Sequence, residues 1–193
     1  MENISLVRYS PHSATASLTT HVIECYRDVF ADGPWHEWLQ CPKCKKYWGT
    51  KDRDLLKSWN FQHCDVAVAD YWPREKVRED FFHEITPEAS CWLAVCNAQV
   101  VGFCLGYPIA ITDLENKLGI SFNLQLARRL GNHSKIAYQD DVAVRSEFRR
   151  QGIAKAMVQH RLADFLNLNL EVGVVRTREK PVIWPLPNDH WGA

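Results

Sequence analysis

The sequence predicts an α/β domain with a mixed central β-sheet flanked by helices. Along the chain, stretches with the apolar period of strands alternate with stretches that have a helical period. A strand, a helix and a further strand follow one another between residues 135 and 177, and such a connection joins parallel strands. A β-hairpin pattern over residues 91–109 adds antiparallel neighbours, so we expect a mixed sheet.

The first half of the chain is expected to supply one strand and two helices around an insert. Residues 4–10 have the pattern of a short strand, and apolar residues recur at helical spacing over residues 13–30. Residues 34–70 are rich in tryptophan and cysteine and lack clean periodicity, which indicates an insert held by something other than a large core. Residues 73–85 predict a second helix, with proline near its first turn.

The second half of the chain is expected to build most of the sheet. The hairpin has its turn at Asn97 and Ala98. Helical stretches interrupted by glycine fill residues 111–133, which we interpret as a lid or a connector. Strands are predicted at residues 135–145 and 170–177, with a helix at residues 152–166 between them. The proline-rich tail does not have the pattern of a regular strand.

Length and composition favour one domain that spans residues 1–193, with the segment 34–70 as its insert. The chain is 46% apolar and 24% charged, which is ordinary for a globular protein. Its formal net charge is zero, so no overall field favours nucleic acid or an acidic membrane. No signal-peptide pattern and no run near the roughly 20 apolar residues of a membrane span occurs, so we expect a cytoplasmic protein.

A glycine preceded by two arginines opens the helix predicted at residues 152–166. Arg149 and Arg150 stand before Gly152 at a helix N-terminus, where the helix dipole disfavours positive charge. Backbone N–H groups converge on such a turn and bind anions, and arginines beside it become partners once a phosphate is present. The turn therefore predicts a diphosphate site, and the alternative is a solvated turn that carries basic residues by chance.

The six residues RRQGIA resemble the Arg/Gln-x-x-Gly-x-Gly/Ala signature of the GNAT superfamily of acyl-CoA-dependent N-acetyltransferases. The preceding segment DDVAV resembles that family's fourth strand, and the order of elements is similar over most of the chain. The resemblance implies acetyl-CoA as cofactor. It implies that its pantetheine arm pairs with main-chain groups of Val142, Ala143 and Val144. It also implies that its pyrophosphate is held by the signature residues Arg149, Arg150, Gln151, Gly152, Ile153 and Ala154.

Acetyl transfer to an amine requires that the amine lose a proton, and a carboxylate near the start of the signature strand can accept it. Asp140 and Asp141 are adjacent, so a regular strand directs their side chains to opposite faces and only one can face the acceptor. Asp141, directly before VAV, is our first candidate for the catalytic base, and Asp140 is the second. The alternative is that both are solvated or hydrogen-bonding residues at a strand end.

The C-terminus departs from the family pattern. The resemblance implies a tyrosine general acid shortly before a Gly-Phe pair after the fifth strand, but no tyrosine follows Arg176. The atypically short C-terminus fits a truncated chain, a divergent tail or a partner chain that completes the sheet, as in a homodimer. The proton donor therefore has no candidate in the sequence.

Seven cysteines, an odd number without a secretion signal, argue against a disulfide framework. Cys41 and Cys44 have the spacing of a zinc knuckle, and Cys64 offers a third thiolate. Phe61 stands where a fourth cysteine would fall, so the fourth ligand is open among His63, His36 and Asp65. We predict a structural Zn²⁺ held by Cys41, Cys44, Cys64 and His63. The alternatives are a degenerate site without metal and a redox dithiol.

These observations predict an N-acetyltransferase that moves an acetyl group from acetyl-CoA to a primary amine of a small molecule or peptide. A non-catalytic acyl-CoA sensor is the first alternative, because the family tyrosine is missing. A zinc-ribbon interaction module is the second, because residues 43–53 are basic with interleaved aromatic side chains. Acidic residues beside that segment and the neutral chain argue against nucleic acid as a partner, and we expect no membrane partner.

Overall fold

The computed structural model describes residues 3–54, 61–122 and 135–176, together with the backbone of residues 181–185. Its helices are α1 (Ala16–Ala31), α2 (Arg74–Glu84), α3 (Ile111–Leu118) and α4 (Ile153–Asn167). Its strands are β1 (Ile4–Arg8), β2 (Leu39–Gln40), β3 (Tyr47–Trp48), β4 (Gln62–His63), β5 (Val66–Ala67), β6 (Ala69–Asp70), β7 (Ser90–Cys96), β8 (Gln99–Ile109), β9 (Ile136–Val144), β10 (Val172–Arg176) and β11 (Pro181–Pro185).

A six-stranded sheet in the order β1-β7-β8-β9-β10-β11 forms the centre of the molecule. Strands β9 and β10 are parallel, and the other neighbours are antiparallel. The predicted mixed sheet flanked by helices is therefore confirmed. The hairpin β7–β8 turns at Asn97 and Ala98, as predicted, and both residues have the positive φ angles that a tight hairpin turn requires.

Helices cover both faces of this sheet because alternate residues of β8 point in opposite directions. Phe103 and Leu105 pack in the core beneath α1 and α2, whereas Cys104 between them packs against α4. α1 begins where Thr15 Oγ1 accepts a hydrogen bond from the Leu18 amide (3.2 Å). No helix in the described part of the chain combines the length and the apolar content of a membrane span.

The tail differs from the sequence prediction. Residues 181–185 form β11 and pair with β10, although this segment was not expected to be a regular strand. Its two prolines stand at the ends of the strand, where a missing backbone N–H costs least.

The predicted connector begins with α3 and is interrupted at Gly119, which has a left-handed φ of 63°. The rest of that prediction, residues 123–133, lies outside the described residues, as does the chain after residue 185.

The insert folds into small sheets of its own. β2 lies between β3 and β6, and β4 forms a separate hairpin with β5. Among the described insert residues, 34–54 and 61–70, only Cys41, Trp48 and Gly49 are buried. The insert therefore has almost no apolar core, as its lack of periodicity predicts.

Candidate active site

The candidate site lies where β9 and β10 part. Their parallel register runs from Ala137 with Gly173 to Gln139 with Val175. β9 continues to Val144, and among the described residues its edge beyond Gln139 has no strand partner on the side of β10. Main-chain groups of Val142 and its neighbours are therefore exposed along an open sheet edge, which can pair with an extended ligand.

A β-bulge places the two aspartates on one face of the sheet. In the β8–β9 register Leu105 lies opposite Asp141, but Gly106 lies opposite Gln139, so Asp140 is an extra residue without a partner. One extra residue reverses the alternation of the strand from that point on. Both Asp140 and Asp141 consequently line the same cavity. The expectation that their side chains point to opposite faces of the strand is wrong, because it assumed a regular strand.

Arg161 of α4 holds the bulge from the other face of the sheet. The side chain is only 2% exposed. Its Nη1 donates to the carbonyl oxygens of Leu105 (2.6 Å) and Asp141 (2.9 Å), and its Nη2 donates to Gln139 Oε1 (2.6 Å). A bulge leaves ladder carbonyls without partners, and a buried carbonyl without a donor is costly. Arg161 supplies these donors and so fixes the backbone on either side of Asp140.

Gly106 makes room for this arrangement. A Cβ on Gly106 would lie 2.6 Å from the Tyr138 carbonyl oxygen, 2.8 Å from Phe165 Cζ and 3.1 Å from Arg161 Cδ. No L-residue with a side chain fits at those distances. The glycine therefore lets α4 approach the sheet closely enough for the guanidinium to reach the bulge.

The cavity beside the bulge has a volume of about 460 Å³. Its wall combines side chains from α1, α2, α3, β9 and β10 with Trp35 and Glu37 of the insert. Five carboxylates against two cations make the wall acidic, and seven aromatic side chains make much of it apolar. The charged residues are Glu37, Asp80, Glu84, Asp140, Asp141, Lys117 and Arg176, and the aromatic residues are Tyr26, Phe30, Trp35, Tyr71, Trp72, Phe81 and Tyr138.

The two aspartates have different surroundings. Asp140 Oδ2 accepts a hydrogen bond from the Tyr107 hydroxyl (2.9 Å) and lies 3.4 Å from Lys117 Nζ, which also pairs with Glu84 (2.6 Å). Burial raises the pKa of the Asp141 carboxyl to about 7, and the nearby negative charges of Asp140 and Glu84 add to the effect. Asp141 is therefore suited to accept a proton near neutral pH, whereas Asp140 is held in an ion-pair network.

Tyrosines of the cavity wall are functional candidates that the sequence analysis missed. It sought a tyrosine only after the fifth strand of the family pattern, but Tyr26 comes from α1 and Tyr138 from β9. Burial raises the pKa of both hydroxyls, so both are protonated at neutral pH. Asp140 lies close enough to the Tyr138 hydroxyl to add to the rise of its pKa, whereas the charge that adds most to the rise for Tyr26 is that of Asp141.

The glycine turn at the start of α4 is open. Gly152 caps the helix with a φ of 80°, and a Cβ placed on it would have no neighbour within 4 Å. The first helical turn that begins here leaves its amides without intrahelical carbonyl partners. Ile153 itself is buried in the core beneath α4, so only its main chain can face a ligand.

The two arginines of the turn are placed differently. Arg149 Nε donates to the Val144 carbonyl (2.9 Å), and its Nη1 donates to the Gly33 carbonyl (3.2 Å), so its guanidinium joins the turn to the start of the insert. Arg150 is exposed and has a positive φ of 62°. In this arrangement Arg150 is the more accessible cation beside the turn.

A family model described as the acetyltransferase (GNAT) family matches residues 17–180. The chain belongs to this family. The resemblance drawn from the signature residues is thereby confirmed, and membership assigns the chain to the acetyltransferases. No curated protein matches the chain.

Several solved structures are similar to this chain at low sequence identity. The glucosamine N-acetyltransferase region of a fungal multi-domain β-N-acetylglucosaminidase superimposes with a TM-score of 0.51 at 9% identity, over 93% of this chain and 14% of that protein. Aminoglycoside N-acetyltransferase AAC(6')-Iy in complex with CoA superimposes with a TM-score of 0.49 at 11% identity, over 92% of this chain and 78% of that protein. PH1933 from Pyrococcus horikoshii OT3 superimposes with a TM-score of 0.49 at 12% identity, over 90% of this chain and 77% of that protein.

In this GNAT protein, the insert brings three of the four predicted metal ligands together. The sulfur atoms of Cys41, Cys44 and Cys64 all lie within 4.8 Å of one another. The side chain of His63 is not part of that group. Its ring packs edge-on against Trp48, with 5.1 Å between the centroids, and its carbonyl oxygen lies 3.5 Å from Cys41 Sγ.

The Arg161 interaction generates the first prediction. Replacement of Arg161 by Met keeps most of the apolar volume but leaves two buried carbonyls and Gln139 without their donor. The free energy of unfolding should fall by about 3 kcal/mol, measured by urea denaturation. Lys155→Met removes an exposed cation from the same helix and should change it by less than about 0.5 kcal/mol. Equal effects of the two substitutions would contradict the assigned role.

Proposed function

We propose that this GNAT protein is an acetyl-CoA-dependent N-acetyltransferase that acts on a primary amine of a small molecule carrying further positive charge. One observation carries the proposal. The unpaired edge of β9 begins at the acidic cavity and leads to the glycine turn of α4. A single extended ligand along this edge would have its anionic end at the turn and its other end at Asp141.

The residues fit such a ligand by the chemistry of their main chain. Backbone groups of β9 beyond Gln139 offer donors and acceptors to a pantetheine arm, as an added strand does. The amides at the start of α4, with the open space at Gly152, offer a site for a diphosphate. Arg150 adds a positive charge beside it. When bound, acetyl-CoA supplies the acetyl group as a thioester.

Asp141 provides the base in this proposal. With acetyl-CoA bound, the amine nitrogen would form a bond to the acetyl carbon, and the carbon–sulfur bond would break with its electron pair leaving on the sulfur. The nitrogen gives its proton to the Asp141 carboxylate. A base with a pKa near 7 is ionised for much of the time at neutral pH and still basic enough to take the proton. Asp140 raises that pKa through its negative charge.

Tyr26 is the candidate proton donor for the leaving sulfur. Its hydroxyl is protonated at neutral pH because burial raises its pKa, and Asp141 is the nearby charge that raises it most. A phenol with a raised pKa is a weak acid, so in this proposal Tyr26 relays a proton: it gives its own proton to the leaving thiolate and takes the one that Asp141 accepted from the amine. The hydroxyl of Tyr138 instead lies beside Asp140, the charge that adds most to the rise of its pKa. Tyr26 thus takes the role that the family pattern gives to a tyrosine nearer the C-terminus, and this assignment favours the enzyme over a sensor.

The cavity wall supports a cationic acceptor. Lys117 neutralises part of the charge of Glu84 and Asp140, and Lys76 pairs with Asp80 (2.9 Å), but Glu37 adds negative charge on another wall. Aromatic faces also attract cations, with about 0.5–2 kcal/mol for each good contact. A volume of about 460 Å³ suits a small molecule better than a folded protein. A linear polyamine or an amino sugar has this combination of size and charge.

Substitution of Asp141 tests the base. Asp141→Asn should lower kcat about 100- to 10,000-fold. In the wild type kcat should rise with pH through an apparent pKa near 7, because only the ionised carboxylate accepts the proton, and this limb should vanish in the variant. Asp140→Asn should retain the limb but move it to lower pH, since one negative charge beside Asp141 is gone. The reverse pattern would assign the base to Asp140.

Two glycines with the same backbone conformation test the proposed diphosphate site at Gly152. Gly152→Ala and Gly119→Ala both place a side chain at a positive φ in open space, so each should destabilise the fold by about 1–2 kcal/mol. Only Gly152→Ala should weaken CoA binding, by tenfold or more in titration calorimetry, because the new methyl group occupies the space before the free amides. A similar loss in both variants would argue against a diphosphate at Gly152.

Glu37 tests the charge of the acceptor. Glu37→Gln keeps an oxygen that can accept the hydrogen bond from Trp72 Nε1 (3.1 Å) but removes the charge. The KM for a linear triamine should rise about fivefold while kcat stays within twofold, as expected for the loss of about 1 kcal/mol of ground-state attraction. Glu79→Gln on the exposed side of α2 is the matched control. An unchanged KM would exclude Glu37 from acceptor binding.

A further inference from the structure

The insert holds a second cluster of chemically reactive side chains, separate from the cavity. Cys41 and Cys44 lie in the turn between β2 and β3, and Cys64 lies in the turn between β4 and β5. Two turns from different hairpins thus meet at three sulfur atoms within 4.8 Å of one another. A tetrahedral Zn²⁺ with bonds of about 2.3 Å to sulfur separates its thiolates by about 3.8 Å, so small side-chain adjustments suffice.

The main chain around the cluster supports thiolates. The backbone N–H groups of Lys43 and Cys44 are directed towards Cys41 Sγ. Positive φ angles at Lys45, Cys64 and Asp65 give both turns the tight geometry that brings amides towards a central sulfur. Donors directed at sulfur stabilise a metal-bound thiolate in the way that other outer-shell hydrogen bonds stabilise metal ligands.

The insert needs a cross-link. Of its described residues only Cys41, Trp48 and Gly49 are buried, so apolar burial contributes little to its stability. Small segments without a sufficient core are held by disulfides or metal ions. All three sulfurs are free thiols in this structure, and none is paired with another. A metal ion bound by the three thiolates would join the two hairpins at one point.

We propose that Cys41, Cys44 and Cys64 bind one Zn²⁺, with water as the fourth ligand, and that this ion braces the wall of the acceptor cavity. Zn²⁺ displaces the three thiol protons on binding. The water takes the place that His63 has in the predicted ligand set, because the His63 ring packs on Trp48. Phe61 also packs on Trp48, with 5.5 Å between the centroids, where a fourth cysteine would otherwise stand.

Hydrogen bonds connect the cluster to the cavity. β2, directly before Cys41, lies between β3 and β6. The Trp38 amide donates to the Trp48 carbonyl (3.0 Å), and the Tyr71 amide donates to the Trp38 carbonyl (3.0 Å). Tyr71 and Trp72 then line the cavity, as does Glu37. The zinc ion would therefore hold in place the side of the cavity that the insert contributes, a consequence that rests on the proposed acceptor site.

Metal content tests the first part without any measurement of activity. Wild-type protein purified with reductant should contain one zinc per chain by mass spectrometry of the metal. Cys44→Ser and Cys64→Ser should each lose it, while Lys43→Ala, an exposed residue of the same turn, and His63→Ala should retain it. Co²⁺ exchanged into the wild type should show thiolate charge-transfer bands. Protein without zinc, or zinc retained in Cys44→Ser, would overturn the site, and loss in His63→Ala would overturn the water ligand.

Ligand binding and kinetics test the second part. In Cys44→Ser the KM for a linear triamine should rise at least tenfold. The Kd of CoA in calorimetry should stay within twofold, because the bond that joins the glycine turn to the insert, from Arg149 to the Gly33 carbonyl, involves none of the three cysteines. An unchanged KM in a zinc-free variant would overturn the bracing role. Absence of CoA binding in the wild type would instead overturn the proposed function and leave the metal result standing, so the two failures are distinguishable.

Discussion

The bulge at Asp140, and the buried guanidinium that holds it, determine where the charges of the site lie. Without the extra residue, Asp141 would point towards α4 and not into the cavity. To bury a charged Arg161 costs free energy, which its three acceptors offset. The positive charge also lowers the pKa of Asp141 from the far side of the sheet, although burial and Asp140 outweigh it. One side chain thus positions the carboxylate and limits how far its pKa rises.

The helices and strands of the main sheet were predictable because they depend on periodicity within one segment. The bulge at Asp140 was not predictable, because it depends on how β8 and β9 are aligned with each other. No pattern within the sequence of either strand indicates that alignment. Arg161 did leave a signal. Ile153, Met157, Arg161 and Phe165 are buried at intervals of four residues on one side of α4, so a charge stands in an apolar stripe. A charged residue at such a position indicates that buried hydrogen-bond acceptors lie opposite it. Gly106 on β8 leaves the space through which the Arg161 side chain reaches them.

The cavity was predicted only through Asp140 and Asp141, because its other walls come from distant parts of the sequence. Tyr26, Glu84 and Lys117 belong to three different helices and carry no common spacing. The glycine turn was predictable because a helix start, a glycine and basic residues are neighbours in sequence. The sequence did not show which arginine faces outward. Arg149 turns back to bond to the carbonyls of Val144 and Gly33, and Gly33 is far from it in sequence.

An acidic cavity creates a conflict for the proposed reaction, because carboxylates that attract a cationic amine also stabilise its protonated form. The structure separates the two tasks. Lys117 and Tyr107 hold Asp140, and Lys117 also pairs with Glu84, so the field of these groups at the reacting nitrogen is reduced. Glu37, which Lys117 does not pair with, can hold a distant charge of the proposed acceptor. In the proposed reaction Asp141 acts on one amine as a base, and a second positive charge on the proposed acceptor favours binding without opposing proton transfer.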